Sequence, residues 1–182
     1  MRFVIIQVIG AIAFTLLSIS YYKKEKDKIL FYQILSYITF TIHYYMLGGL
    51  TGSMCNFLGL LALIVIYIFD KYKYNKEDKK ILIYSIIPFL VIISLLTYEN
   101  IFSFFPIIAS IVAIASFVSD NENKIRQVGI IANFCWLVYA IVYKSYISIV
   151  FEIFTFTATV VAFLKNRKQE DDNKQHDINN KK

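Results

Sequence analysis

The sequence predicts an all-α integral membrane protein with seven transmembrane helices in a 3+1+3 parallel-repeat arrangement. Hydrophobic residues make up 58% of the 182 positions, against 18% charged residues. Apolar windows of roughly 17–22 residues recur along the chain, and each is long enough to cross about 30 Å of hydrocarbon. The first three and the last three windows also follow one layout. The predicted spans cover residues 3–22, 29–47, 53–69, 81–98, 101–118, 125–143 and 146–164.

The segments between and after the spans support these boundaries. Span 1 is expected to be an uncleaved helix, because its basic residues follow the apolar run, whereas those of a signal peptide precede it. Gly48 and Gly49 predict a tight turn into span 3, and Glu99 lies in a very short turn before span 5. Pro88 falls within span 4, where neighbouring helices must satisfy the freed carbonyl. Residues 165–182 are polar and lack periodicity, which predicts a disordered tail.

The distribution of positive charge predicts the orientation. Of the 19 Lys and Arg residues, all but Arg2 and Lys144 lie in the loops after spans 1, 3 and 5 or in the tail. Cytoplasmic loops are enriched in these residues, so the N-terminus is predicted outside and the C-terminus in the cytoplasm. The net charge of +6 is therefore explained by cytoplasmic loops of a protein that lies in a lipid bilayer. It does not indicate nucleic-acid binding.

Spans 1–3 and 5–7 correspond at an offset of 96 residues, the separation between Phe40 and Trp136. The same offset relates His43 to Tyr139 and Asn56 to Glu152. Three helices return the chain to the wrong side for a second copy in the same orientation, so span 4 supplies one further crossing. The predicted units are a first three-helix unit (1–70), a basic loop with a linker helix (71–100), a second three-helix unit (101–164) and a polar cytoplasmic tail (165–182).

Glu152 is the strongest candidate for a functional group. It shares one helix face with Ser148, Thr155 and Thr159, at spacings of i, i+4, i+7 and i+11. It lies about 10 Å into the membrane from the outer side, where a carboxylate must pair, face water or take up a proton. A structural hydrogen bond to a neighbouring helix is the alternative. We favour a solute or proton site, because ionisable residues inside membranes usually mark pathways.

Other polar and aromatic residues are candidates for the same site. Asn133, Trp136 and Tyr139 share a face of span 6, where an indole stacks on a ring or cation and an amide binds polar groups. A packed aromatic core is the alternative. His43 is a candidate proton shuttle or a buried neutral histidine. Gln7 is expected to line the path or to make a bond between helices.

The sequence offers no pattern for a cofactor or for catalysis. Two cysteines and two histidines form no metal-ligand spacing, so we expect no metal and no cofactor. Glu152 is the lone acid within an apolar run, without the paired carboxylates or nucleophile–base pair that catalysis needs. We therefore expect that the protein is not an enzyme.

Three segments resemble a known family, the YgjV-type bacterial inner-membrane proteins. These are Gln7-x-x-Gly10-x-Ile12-Ala13-Phe14, His43-Tyr44-Tyr45-x-Leu47-Gly48, and Cys135-Trp136 followed by Glu152. That family is distantly similar to the SWEET and PQ-loop transporter group. The similarity implies two three-helix bundles around a central solute path.

In SWEET-like carriers, a side chain on the second helix and an asparagine on the third helix line the pocket in each half. The resemblance assigns the first role to Phe40 and Trp136 and the second to Asn56 and Glu152. The chain departs from the pattern in two ways: Glu152 replaces an asparagine, and the proline–glutamine signature is absent.

We therefore predict a small-solute transporter or facilitator in the bacterial cytoplasmic membrane, with a sugar- or vitamin-like polar metabolite as its solute. A non-transporting scaffold or regulatory subunit of an inner-membrane complex is the alternative. Homo-oligomerisation stays open. The predicted substrate-binding residues are Glu152, Asn56, Trp136, Phe40, Asn133, Tyr139, His43 and Gln7.

Overall fold

The apolar segments fold into helices throughout the part of the chain that the structure describes. The structure is a computed structural model, and it describes residues 1–23, 25–72, 75–116 and 122–180. These residues form seven α helices and one short 3₁₀ helix, with no strand among them. The helices are α1 (Arg2–Tyr22), α2 (Lys26–Leu47), α3 (Leu50–Lys71), α4 (Lys76–Leu96), α5 (Phe104–Ser116), α6 (Glu122–Val142) and α7 (Tyr146–Asn180), and the 3₁₀ turn is Ile101–Ser103.

Helix α3 forms the centre of the bundle, since it packs against α2, α4 and α5. Its apolar face supplies Cys55, Leu58 and Leu63 to a core that also takes Leu90 from α4 and Ile107 from α5. Helices α1 and α2, α5 and α6, and α6 and α7 pack together as sequential neighbours, while α1 also contacts α7. The first and last helices therefore meet across the bundle.

The turns after α2 and α6 have the same backbone geometry. Each contains a residue in the left-handed region, Gly48 with φ 86° and Lys144 with φ 54°. Glycine tolerates this conformation because it lacks a Cβ. In both turns the next amide donates at 2.9 Å to the carbonyl five residues back, from Gly49 to Tyr44 and from Ser145 to Ala140. Every one of these positions is related by the 96-residue offset, so the correspondence extends to hydrogen bonding.

The outer surface of the bundle is apolar. Side chains such as Leu96, Val150 and Leu95 are exposed to 81%, 70% and 61%, which suits contact with lipid chains. Two of the described helical segments are long and apolar enough to cross a bilayer, Arg2–Ser20 and Leu50–Lys71. Shorter apolar segments are Lys80–Leu96, Ile101–Ile114, Gln127–Val142 and Tyr146–Val161. The remaining predicted span, in α2, is less apolar because it contains Gln33 and His43.

Several helix boundaries differ from the predicted spans. α2, α4 and α6 begin at Lys26, Lys76 and Glu122, each three to five residues before the predicted start. α3 begins at Leu50, before the predicted start at residue 53, because the turn needs only two glycines. A 3₁₀ turn capped by Asn100 precedes α5. α7 continues to Asn180, over the segment predicted as a disordered tail. That segment contains neither proline nor glycine, so nothing interrupts the helix. The predicted end of span 5 and part of the next loop fall on residues 117–121, outside the described residues.

Candidate functional site

A cavity of about 800 Å³ lies between the helices of the two halves. Such a volume is within the range of small-molecule sites, about 300–1,000 Å³. Its lining comes from every described α helix except α4, and it is dominated by apolar and aromatic side chains. The polar lining residues are Gln33, Asn56, Asn133, Glu152, Thr155 and Thr159, and two tyrosines, Tyr37 and Tyr44, also line the cavity.

The cavity wall is built largely from residues that correspond at the 96-residue offset. Six such pairs line it, each with one residue from each half. They are Leu17 with Ala113, Gln33 with Gly129, Tyr37 with Asn133, Phe40 with Trp136, Asn56 with Glu152, and Leu63 with Thr159. The two halves therefore present the same positions to one shared space.

The Glu152 carboxylate lies in this cavity, partly buried. Its Oε2 is 3.5 Å from the Thr155 hydroxyl, at the outer limit of a hydrogen bond. The same hydroxyl lies closer, at 3.1 Å, to the Phe151 carbonyl. A hydroxyl has a single proton to donate, and the shorter contact competes for it. Within the described residues, no salt bridge involves Glu152.

Two amides lie on the cavity wall with Glu152. Asn56 Nδ2 donates to the carbonyl of Gly52 in its own helix at 2.9 Å. Asn133 Nδ2 donates to the Thr159 hydroxyl at 3.4 Å, a long bond between α6 and α7. Both side chains are thereby oriented by the amide nitrogen, which leaves the carbonyl oxygen as the acceptor.

A row of aromatic rings closes one end of the cavity. The Tyr44 ring is 5.6 Å from Trp136 and 5.4 Å from Tyr139, centroid to centroid. Tyr139 in turn lies 4.4 Å from Tyr143. Trp136 and Tyr44 line the cavity, whereas Tyr139 is wholly buried. The rings thus separate the cavity from the end of the bundle that holds the α2–α3, α4–α5 and α6–α7 turns, here called the turn end.

Two corresponding residues of α2 and α6 cross between the halves at the turn end. The Tyr139 hydroxyl accepts from the Gly52 amide at 2.9 Å, and its ring fills the space that a Cβ on Gly52 would need. His43 Nδ1 lies 2.9 Å from the Ile6 carbonyl, and its Nε2 lies 2.6 Å from Ser145 Oγ. Each side chain therefore reaches the start of the third helix in the opposite half.

The His43 contacts identify which ring nitrogen carries the proton. A carbonyl oxygen only accepts, so Nδ1 must donate to Ile6. Nε2 lies 2.6 Å from the Ser145 hydroxyl, so both ring nitrogens have a hydrogen-bond partner. Ser145 Oγ also lies 2.6 Å from Ser148 Oγ, which extends the chain of bonds into α7.

Further hydrogen bonds join the halves at the turn end. Glu99 Oε1 accepts from the Leu50 amide at 2.8 Å, and Oε2 accepts from the Tyr143 hydroxyl. A carboxylate at the first amides of α3 is also favoured by the helix dipole. Gln7 donates to the Lys144 carbonyl at 3.1 Å and accepts from the Ile147 amide at 3.3 Å. The turn end is thus closed by bonds between first-half and second-half elements.

A sequence model of the Imp-YgjV family, described as bacterial inner membrane protein, matches residues 4–170. The chain belongs to this family. The match confirms the predicted resemblance and supports membrane localisation, and it ends within α7, so it covers all seven helices. Neither the comparison with curated proteins nor that with solved structures gives a significant match.

In this inner membrane protein, five of the eight predicted site residues share the cavity. They are Glu152, Asn56, Trp136, Phe40 and Asn133. Tyr139, His43 and Gln7 are instead placed at the turn end, outside the cavity lining. For His43 and Gln7 the structure shows the alternative role of a bond between helices, and Tyr139, which shares a face with Trp136, lies beyond the end of the cavity.

Other residues that line the cavity or close the turn end were not among the predicted ones. Gln33, Tyr37 and Tyr44 join Phe40 along one stripe of α2 at spacings of i, i+4, i+7 and i+11. The polar residues on one face of α7 have the same spacing. The sequence therefore contained a signal that could have identified these α2 residues as one inward-facing stripe. Glu99 had no such signal, because a carboxylate in a short turn is ordinarily solvated.

Proposed function

We propose that the protein is a transporter or facilitator for a small solute, with a path between a first three-helix unit (α1–α3) and a second (α5–α7). Helix α4 serves as the linker that restores the orientation of the second unit. The proposal depends on one observation above all: six pairs of corresponding residues face one cavity of about 800 Å³. A path at the interface of two repeats is where solute sites of such carriers lie.

In this proposal the described conformation is closed at the turn end. The cavity runs from Tyr44 and Glu152 towards Leu17, Gln33 and Gly129, which lie nearer the opposite ends of their helices. The positive-inside rule assigns the turn end to the outer face. The solute path is then closed to the outside and accessible from the cytoplasm, and rocking of one unit against the other exchanges access.

The orientation has a direct test. A reporter that is active only in the periplasm and one that fluoresces only in the cytoplasm are fused in parallel after Lys182. The proposal expects cytoplasmic fluorescence and no periplasmic activity. Fusions in the turn at Lys144 should give the opposite pattern, and a reversed result at either position would reject the assigned orientation.

Transport itself is tested with the purified chain in liposomes. A panel of labelled neutral, anionic and cationic metabolites is offered, and uptake is compared with protein-free vesicles. The proposal expects saturable uptake of at least one solute that is reduced in Glu152→Gln. Glu77→Gln is the matched control, because it removes an exposed carboxylate that lies outside the cavity lining and pairs with Lys80 of its own helix. Background uptake for every class of solute would contradict the proposal.

A second candidate, a non-transporting membrane scaffold, is favoured by the bonds that join the helices. Asn133 bonds to Thr159 across α6 and α7, and Glu99, Gln7 and His43 tie the halves together. A scaffold predicts that cavity substitutions leave every measured flux unchanged while turn-end substitutions alter assembly with a partner. The liposome experiment therefore separates the two candidates.

A further inference from the structure

We infer that the ligand of the cavity is an organic monocation, a protonated amine or a quaternary ammonium group on an apolar body. This inference deepens the proposed function and rests on it. Three properties of the cavity carry it: one uncompensated carboxylate, a lining without basic groups, and a wall of aromatic rings.

The charge within the cavity is of one sign. Glu152 is the acidic residue of the lining, and none of the described lining residues is Lys, Arg or His. The neighbouring donor, the Thr155 hydroxyl, is 3.5 Å away and has a nearer acceptor. A carboxylate that is partly removed from water is stabilised by an opposite charge. A cationic ligand supplies that charge, whereas an anion meets repulsion.

The aromatic wall adds to the same preference. Six rings line the cavity: Tyr37, Phe40, Tyr44, Trp136, Phe151 and Phe154. The face of each ring carries partial negative charge, and tryptophan attracts cations most strongly. Rings around a carboxylate favour ammonium groups, including fully methylated ones that cannot donate hydrogen bonds.

The size and composition of the cavity argue for an organic rather than an inorganic cation. A metal ion needs several ligands close together, and the described residues contain no group of three or more His, Cys, Asp or Glu side chains. The cavity volume of about 800 Å³ is far larger than an ion. The apolar part of the wall is instead suited to the carbon body of a ligand.

The single tryptophan makes the inference measurable. Trp136 is the one tryptophan of the chain and lines the cavity. Its fluorescence is titrated with choline and with 3,3-dimethylbutan-1-ol, a neutral molecule of the same shape, using protein in a maltoside detergent. Detergents with choline headgroups are avoided because they would compete. Benzyltrimethylammonium serves as a probe with a larger apolar body, and glucose as a neutral polyol.

We expect saturable changes with both ammonium probes and at least tenfold weaker binding of the neutral isostere. Glu152→Gln should weaken the ammonium probes at least tenfold, since truncating one partner of a buried charge pair has an effect of this order. Glu77→Gln should bind like the unmodified protein. Circular dichroism and thermal unfolding establish that each variant is folded.

The possible results separate this inference from the function on which it rests. Equal binding of choline and its neutral isostere, or unchanged affinity in folded Glu152→Gln, would overturn the cation inference. Absence of any response to the ammonium probes would overturn it as well. If glucose or another neutral solute is nevertheless carried into liposomes, the proposed transport function stands without it.

Discussion

The two halves of the chain correspond at an offset of 96 residues, and they place different side chains on the same cavity. The first half contributes Leu17, Gln33, Tyr37, Phe40, Asn56 and Leu63, and the second contributes Ala113, Gly129, Asn133, Trp136, Glu152 and Thr159 at the corresponding positions. The first half has the larger side chain at four of these six pairs, and the second half has it at the other two, with Trp136 and Glu152. Both halves border the space, while the second half supplies its charge.

At the turn end, each half sends one side chain of its second helix to the start of the third helix of the other half. The two side chains and the residues that they contact differ in chemistry. His43 crosses to a pair of serines, Ser145 and Ser148, whereas Tyr139 crosses to Gly49 and Gly52. The small imidazole meets hydroxyls, and the larger phenol meets residues that lack side chains. Corresponding positions have therefore adjusted in size so that both crossings fit.

The largest effect is expected from exchanging the polar pair of the cavity. Glu152→Asn should weaken binding of an ammonium probe by about 2 kcal/mol or more, because the buried charge pair is lost. Combining it with Asn56→Glu returns a carboxylate to the same cavity from the opposite wall. We expect the double variant to recover most of the lost affinity, as measured by Trp136 fluorescence. Failure to recover would mean that the two walls are not interchangeable.

The sequence paired the cavity positions through its repeat, while their assignment to a pocket came from the resemblance to SWEET-like carriers. The offset relates Phe40 to Trp136 and Asn56 to Glu152, and the structure brings all four to one cavity. Hydropathy predicted the helices because a membrane span needs a fixed length of apolar residues. Both signals are local or periodic, and neither depends on how the helices pack.

The remainder depended on tertiary packing. Tyr139 follows Trp136 by one helical turn on the same face, yet it is buried against Gly52 beyond the end of the cavity. Helical spacing defines a face, and the residue count from the turn gives an approximate depth, but neither shows where the cavity ends. Leu17 and Leu63 line the cavity, but in sequence they are indistinguishable from lipid-facing or core leucines. Glu99 acquires its role from Leu50 and Tyr143, which are distant along the chain.

A steric substitution tests the crossing by Tyr139. Gly52→Ala should lower the free energy of unfolding by about 1–3 kcal/mol, because the new methyl group overlaps the Tyr139 ring in a packed interior. Thermal unfolding in detergent measures the change. Gly129→Ala is the matched control: its added methyl meets Thr159 at 3.6 Å, an ordinary contact. An equal effect of the two substitutions would show that Tyr139 does not occupy this position.

The crossing by His43 is tested through its hydroxyl partner. Ser145→Ala leaves the buried Nε2 without the hydroxyl that now lies at 2.6 Å, and it should destabilise the protein by about 1 kcal/mol. If the turn end is a closed gate, the same variant should also raise solute leak through reconstituted protein. Ser85→Ala is the control, since its exposed hydroxyl bonds only to the Ile81 carbonyl of its own helix. If stability and solute leak are both unchanged in Ser145→Ala, the contact between His43 and Ser145 does not help to close the turn end.

The smallest effect is expected for the aromatic pair that faces across the cavity. Trp136→Phe makes the two walls alike at this position, and it should weaken an ammonium probe by about 0.5–1 kcal/mol because phenylalanine attracts cations less than tryptophan. Adding Phe40→Trp places the indole on the first wall. The affinity for the ammonium probe should return if an indole on either wall can contact the cation. Calorimetry measures both variants, since the first one lacks the fluorophore. A neutral isostere is the control, and its binding should change equally little in both. One further outcome is that the Phe40 and Trp136 exchange fails to restore affinity while the Asn56 and Glu152 exchange restores it. In that case the carboxylate can bind the ligand from either wall, whereas the indole must lie on the second half.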